Sequence, residues 1–204
     1  TMTGSGTAAS ANVANGVMVA SPGTLALADG TGLASNYSLN STVLNITKRV
    51  LNSSGSKLYD ANTNALAGAI TLSNLVSGET LNHSGTASVS SANAGSYTIS
   101  NLSGISIADN AGTASNYTLT GGTHNFTVNQ RPLVATLARQ YDGTTTSAGS
   151  TLSSFDALQG GETLTMTGSG TAASANVANG VTMSSNGNLA LVNGTGLALS
   201  LIHI

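Results

Sequence analysis

The chain has no cysteine, no tryptophan and only 2 prolines, and charged residues make up just 6% of it. Absent cysteine excludes disulfides without fixing a compartment. With 5 Lys plus Arg and a net charge of −2, there is no basic face for nucleic acid or for anionic lipid. No apolar run approaches the ~18 residues that a membrane helix needs. Scarce charge also argues against disorder, which usually couples low hydrophobicity to high net charge. An ordered chain is expected.

What fills the space is Gly, Ser, Thr, Asn and Ala, arranged in repeats. Thr1–Val17 recurs without change as Thr165–Val181, and half of that spacing is the underlying period. Tyr59-Asp60 returns as Tyr141-Asp142, Gly78-Glu79-Thr80-Leu81 as Gly161-Glu162-Thr163-Leu164, and Ala34-Ser35-Asn36-Tyr37 as Ala114-Ser115-Asn116-Tyr117. Repetition at this scale marks an array of like units. Residues 1–46 are the later part of a first repeat, 47–129 a complete repeat of about 82 residues, and 130–198 a truncated third. The third breaks off inside a motif: Gly30–Ala34 runs on into Ser-Asn-Tyr, whereas Gly194–Ala198 runs on into Leu199–Ile204. The sequence LSLIHI resembles translated sequencing adapter, so residues 199–204 are read as a non-native tail.

Within the repeats, apolar residues alternate in short pairs: Leu25/Leu27, Ile70/Leu72, Tyr97/Ile99, Ile105/Ile107, Tyr117/Leu119 and Phe126/Val128. Period two is the signal of half-buried strands. A longer polar strand is expected over Leu81–Val89, and further ones over residues 36–39 and 43–46. The fold class expected is all-β: tandem β-sandwich-like modules in an elongated array, the first and last incomplete. A β-grasp-like sheet with one short helix near residues 60–68 is the second expectation, because Asp60–Ala69 is rich in alanine. A continuous solenoid is the third.

The most distinctive short motif is Arg139, a spacer, then Tyr141-Asp142-Gly143-Thr144-Thr145; the complete repeat carries a variant in Lys57, Tyr59 and Asp60, followed by Ala61 and Asn62. Asp-Gly favours a tight turn, since Gly takes positive φ freely and Asp bonds backbone donors two residues on. The tyrosine is expected to pack its ring on the sheet and keep its hydroxyl in water. Followed by Gly-Gly-Glu-Thr-Leu, a Ser-Gly-Thr-Ala strand and an Asn-Tyr-x-Leu strand, this pattern resembles the YDG-type repeats of large bacterial surface and filamentous-haemagglutinin-like proteins. The resemblance covers about residues 1–198. It implies an exported, extracellular or cell-surface segment that acts as a stalk or spacer with weak multivalent adhesion. Its partners would be neighbouring repeats of the same chain, and glycans or proteins of a host or the environment.

Chemistry is harder to find. Glu79 and Glu162 occupy equivalent positions, but paired-carboxylate catalysis needs two carboxyls within roughly 5 to 10 Å, and each repeat offers one Glu with at best one nearby Asp. A structural turn explains their recurrence. Asp29 and Asp109 supply one carboxylate per loop, against the 6 to 8 oxygens calcium prefers. His83, His124 and His203 are far apart and do not recur with the period, unlike converging zinc ligands. No phosphate-binding glycine loop or nucleophile elbow stands in the right context. No catalytic residue, cofactor or metal is therefore expected. A carbohydrate-binding module that uses Thr/Asn surfaces and the tyrosines Tyr37, Tyr59, Tyr97, Tyr117 and Tyr141 as stacking platforms is the alternative.

Overall fold

A computed structural model describes residues 1–195. Its regular elements are β-strands and four three-residue 3-10 turns, so the chain is all-β, with several sheets. Among the described residues no helix is long and apolar enough to cross a membrane. The adapter-like tail, residues 199–204, lies outside them.

The repeats fold alike, ladder by ladder. Thr7–Ala8 pairs antiparallel with Ala14–Ser21, Asn82–Val89 with Gly95–Asn101, and Ser169–Ala172 with Met183–Ser185. Each of these ladders shifts register at one place: between Thr7 and Ala8, between Ser88 and Val89, and between Thr171 and Ala172. A bulge kept at one position bends the strand in the same way each time. The Met2↔Leu27 and Thr3↔Ala26 pairs of the first repeat return as Met166↔Leu191 and Thr167↔Ala190 in the third. The small turn before the second strand is repeated too: Asn12, Asn93 and Asn176 each donate a backbone N–H, at 3.1 Å, to the hydroxyl of Ser10, Ser91 and Ser174.

The chain divides into two compact units, which do not follow the repeat boundaries. The first holds Thr1–Asn52, Leu72–Asn82 and Ile107–Gly122. In it Ala14–Ser21 runs antiparallel to Val43–Ile46, and Tyr117–Thr118 runs parallel to Arg49–Val50. Leu51 and Tyr117 are its most deeply buried side chains. Asn116 reaches back to the first repeat: its side-chain oxygen accepts from the Val13 N–H at 2.8 Å, and its amide donates to Asn12 Oδ1 at 2.9 Å.

The second unit holds Ser53–Thr71, His83–Ser106 and the chain from Thr123 onward. The strand His124–Asn129 lies between Gly95–Asn101, to which it is antiparallel, and Asn52–Leu58, to which it is parallel. His124, Phe126 and Val128 are buried, in alternation with exposed or half-buried neighbours, which is the period-two pattern expected of a sheet with one covered face. Ala65, Ala87, Val89, Ile99 and Ile105 are also buried here. The third repeat contributes Leu164, Met166, Leu189 and Leu191, and its ladder Leu164–Thr167 with Ala190–Asn193 follows the same alternation.

Two local expectations need correction. Residues 60–69 form no α-helix: Asn64–Leu66 is a strand paired with Thr86–Ser88, and only Ala67–Ala69 make a 3-10 turn. The alanines there are wanted for size, since Ala65 and Ala67 are buried, and packing overrides helix propensity. Residues 36–39 form no strand either. Their counterpart Tyr117–Thr118 is a strand because it pairs with Arg49–Val50. Residues 37–42 have no such ladder among the described residues.

Candidate functional site

The Tyr-Asp motif is built as a clamped turn in both repeats that carry it. In the third, Asp142 Oδ1 accepts from the Thr144 N–H and from the Thr144 hydroxyl, both at 2.9 Å. Arg139 closes the loop from behind, donating to the Asp142 carboxylate and to the Thr144 carbonyl. In the complete repeat Lys57 takes the same post: its ammonium meets Asp60 Oδ1 at 2.7 Å and the Asn62 carbonyl at 2.7 Å. The Asn62 N–H, at 3.2 Å, again donates to the aspartate. A cation, an aspartate three residues on and a carbonyl two beyond that are one device in two chemistries, consistent with an Asx-type turn.

The carboxyls respond accordingly. The Thr144 N–H, then the Arg139 guanidinium and the Thr144 hydroxyl, hold Asp142 down at about 2. Partial burial works to raise Asp60, but the hydrogen bonds from Lys57 and Asn62 outweigh it and lower its pKa. Both aspartates are thus committed anions that steady their own loops, a poor starting point for proton transfer at neutral pH.

The variant residue Ala61 adopts φ +59°, the left-handed region in which Gly143 sits at +77°. The turn therefore forms without glycine, but an alanine there is strained by about 1 to 2 kcal/mol. Ala61→Gly is expected to stabilise the chain by about 1 kcal/mol, part of the relief being offset by the greater freedom glycine brings to the unfolded chain. A shift of the urea midpoint to higher concentration checks this, and a shift to lower concentration would contradict it.

The tyrosines part company. The expectation of a packed ring with a wet hydroxyl describes neither member of the motif. Tyr59 is buried, 3% exposed, and its hydroxyl donates to the Glu162 carboxylate. Tyr141 is 64% exposed. Arg131 secures Tyr59 from the backbone side, its Nε donating to the Tyr59 carbonyl at 2.7 Å. Burial, then the bond and the charge of Glu162, push the Tyr59 phenol up to about 12.

That shift has a consequence at high pH. A phenol whose folded pKa lies above its unfolded value of roughly 10 lends stability that is complete below pH 10 and is lost as pH rises through 12. The full loss is on the order of 3 kcal/mol, each of the two units being about 1.4. The urea midpoint is expected to fall across that window, with Tyr59→Phe flattening the fall. A slope unchanged by the substitution would show that other groups set it.

The second tyrosine–carboxylate contact was not foreseen. Tyr117, also buried, donates to Glu79 and accepts from the Val76 N–H at 3.1 Å. The bond to Glu79, then burial, raise its phenol. Glu79 and Glu162 are therefore brought to tyrosines rather than to second carboxyls. The only sequence signal for this was that the Gly-Glu-Thr-Leu, Tyr-Asp and Asn-Tyr motifs each occur twice.

The remaining candidates are also engaged in the structure. Asp29 and Asp109 each accept the N–H five residues on, from Ala34 and Ala114, at 2.7 Å in both cases; their carboxylates shape the loop before the Asn-Tyr motif. His83 Nε2 donates to the Ala67 and Ile70 carbonyls at 3.1 and 2.9 Å, so it carries that proton. The His124 Nδ1 lies 2.9 Å from the Ser53 hydroxyl in the interior. His203 is outside the described residues, and among those described no three His, Asp or Glu side chains converge as a metal site would require. A cleft of about 160 Å³ beside the Lys57–Asp60 clamp is lined by Asn62, Asn64, Leu66 and Ala69. It is smaller than the roughly 300 to 1,000 Å³ of small-molecule sites.

Repeated bulged ladders, a cation-clamped Tyr-Asp turn and two glutamates each held by one buried phenol define a tandem-repeat all-β protein. The YDG domain family model matches residues 43–125 and again residues 127–197, well over half of the chain, and the chain belongs to that family. No curated protein and no solved structure gives a match.

Proposed function

We propose that the chain is a non-enzymatic repeat segment of an exported bacterial surface adhesin, working as a stalk or spacer and contributing weak multivalent adhesion. The observation that supports this most is the threefold recurrence of one bulged ladder in one register. A chain that repeats its framework so closely is built for length, and quasi-one-dimensional arrays of this kind owe their stability to each repeat and its neighbours. The recurring polar residues fit the reading: basic residue, aspartate, glutamate and buried tyrosine are all consumed in turns and clasps. Many weak contacts along such a segment would hold a surface through effective concentration.

A pulling experiment on the full chain tests the spacer. Stepwise unfolding under load, together with no selective binding on a glycan array, is the expected result. A second reading, a carbohydrate-binding module, is favoured by the exposure of Tyr37 at 71% and Tyr141 at 64%, since an open ring is what a sugar face stacks on. Selective glycan binding abolished by Tyr37→Ala or Tyr141→Ala would replace the spacer with that module.

A further inference from the structure

The complete repeat contains one glutamate in a Gly-Glu-Thr-Leu segment, Glu79, with Tyr59 in the Tyr-Asp turn and Tyr117 in the Asn-Tyr motif; the third repeat carries Tyr141 and Glu162, and the first Tyr37. The two glutamates present are each seen with one phenol, and not with the same one. Glu79 receives Tyr117, the Asn-Tyr tyrosine of its own repeat. Glu162 receives Tyr59, the Tyr-Asp tyrosine of the repeat before it, on Oε1. Its other oxygen, Oε2, is buried with no hydrogen-bond partner among the described residues.

A carboxylate accepts on both oxygens, and an acceptor buried without a donor is a fault that native structures rarely keep. The residue that would supply the donor can be named from register. Gly30–Ala34 leads to Tyr37 and the matching loop of the complete repeat leads to Tyr117, but Gly194–Ala198 leads to Leu201. We infer that the glutamate of each repeat is a two-phenol socket. One oxygen takes the Asn-Tyr tyrosine of the same repeat, and the other takes the Tyr-Asp tyrosine of the repeat before it. Glu162 Oε2 is a site for a tyrosine hydroxyl, and the exposed Tyr141 is the side chain that would enter the glutamate of a further repeat. The socket joins successive repeats whether or not the array serves as a stalk.

The test supplies a phenol in the full chain by Leu199→Ser, Ser200→Asn and Leu201→Tyr together, with Leu201→Phe in the same background as the control for ring packing. In the unaltered chain two phenols, Tyr59 and Tyr117, carry raised pKa values. Alkaline titration of phenolate absorbance is expected to show a third in the tyrosine version, with a melting midpoint about 2 to 4 °C above the phenylalanine version. Glu162→Gln should remove both effects, whereas Tyr59→Phe should leave the added phenol shifted, because it has its own oxygen. An added phenol that titrates near 10, or equal midpoints for the tyrosine and phenylalanine versions, would overturn the socket. So would an added phenol that restores Tyr59 to ordinary titration, which would mean that the two compete for a single place.

Discussion

Gly85→Ala is expected to destabilise the chain by about 3 to 5 kcal/mol, the upper range for a single substitution. Gly85 has φ +101°, and a Cβ built there would lie 1.9 Å from the Gly104 carbonyl oxygen. Two costs combine: a left-handed backbone, roughly 1 to 2 kcal/mol for any L side chain, and an overlap with backbone that no rotamer relieves. The site is one of three. Gly168 at φ +82° would meet the Asn188 oxygen at 2.1 Å, and Gly4 at φ +83° the Thr24 oxygen at 2.0 Å. Gly168→Ala is expected to cost a similar amount. Gly78→Ala is the control, since its φ is +86° but its Cβ would meet nothing within 4 Å; only the backbone part, about 1 to 2 kcal/mol, should be lost there. Urea denaturation of the three variants measures all of this. Equal losses at Gly78 and Gly85 would show that the close approach of backbones does not matter.

That same position shows where reading by sequence gave out. Aligning Ser-Gly-Thr-Ala of the complete repeat with Ser169–Ala172 equates Gly85 with Gly170. The ladders equate it with Gly168, because Thr86 pairs with Leu66 as Ser169 pairs with Ala148. A tetrapeptide that recurs two residues out of register carries the eye with it, while the constraint that matters is a glycine facing a carbonyl about twenty residues away. Local features were legible: the alternating pairs Ile105/Ile107 and Phe126/Val128 are strands, and the Asp-Gly turn is a turn. Contacts set by distant chain were not. The tyrosine–glutamate pairs span 38 and 103 residues, and no local propensity encodes them. The alanine-rich stretch after Asp60 misled for a related reason, since small side chains suit a tight core as well as a helix.

Identical motifs sit in different surroundings. Tyr117 and Tyr37 both follow Ala-Ser-Asn, and both come after a 3-10 turn of the same length. Tyr117 is 2% exposed and Tyr37 71%. Tyr117→Ala is therefore expected to cost about 3 to 5 kcal/mol, the range for deleting a buried aromatic ring, whereas Tyr37→Ala should stay within about 0.5 kcal/mol of the unaltered chain. Tyr117→Phe separates the ring from its hydroxyl. It leaves the Glu79 carboxylate and the Val76 N–H without their partner, at a cost of about 1 to 3 kcal/mol where such groups remain buried. Urea curves for the three variants decide whether the ring or the clasp carries the larger share. Should Tyr117→Phe lose as much as Tyr117→Ala, the hydroxyl would be the main attachment and the ring a spacer for it. Should Tyr117→Phe lose nothing, Glu79 would be satisfied by water, and the Asn-Tyr tyrosine would act in this family through packing alone.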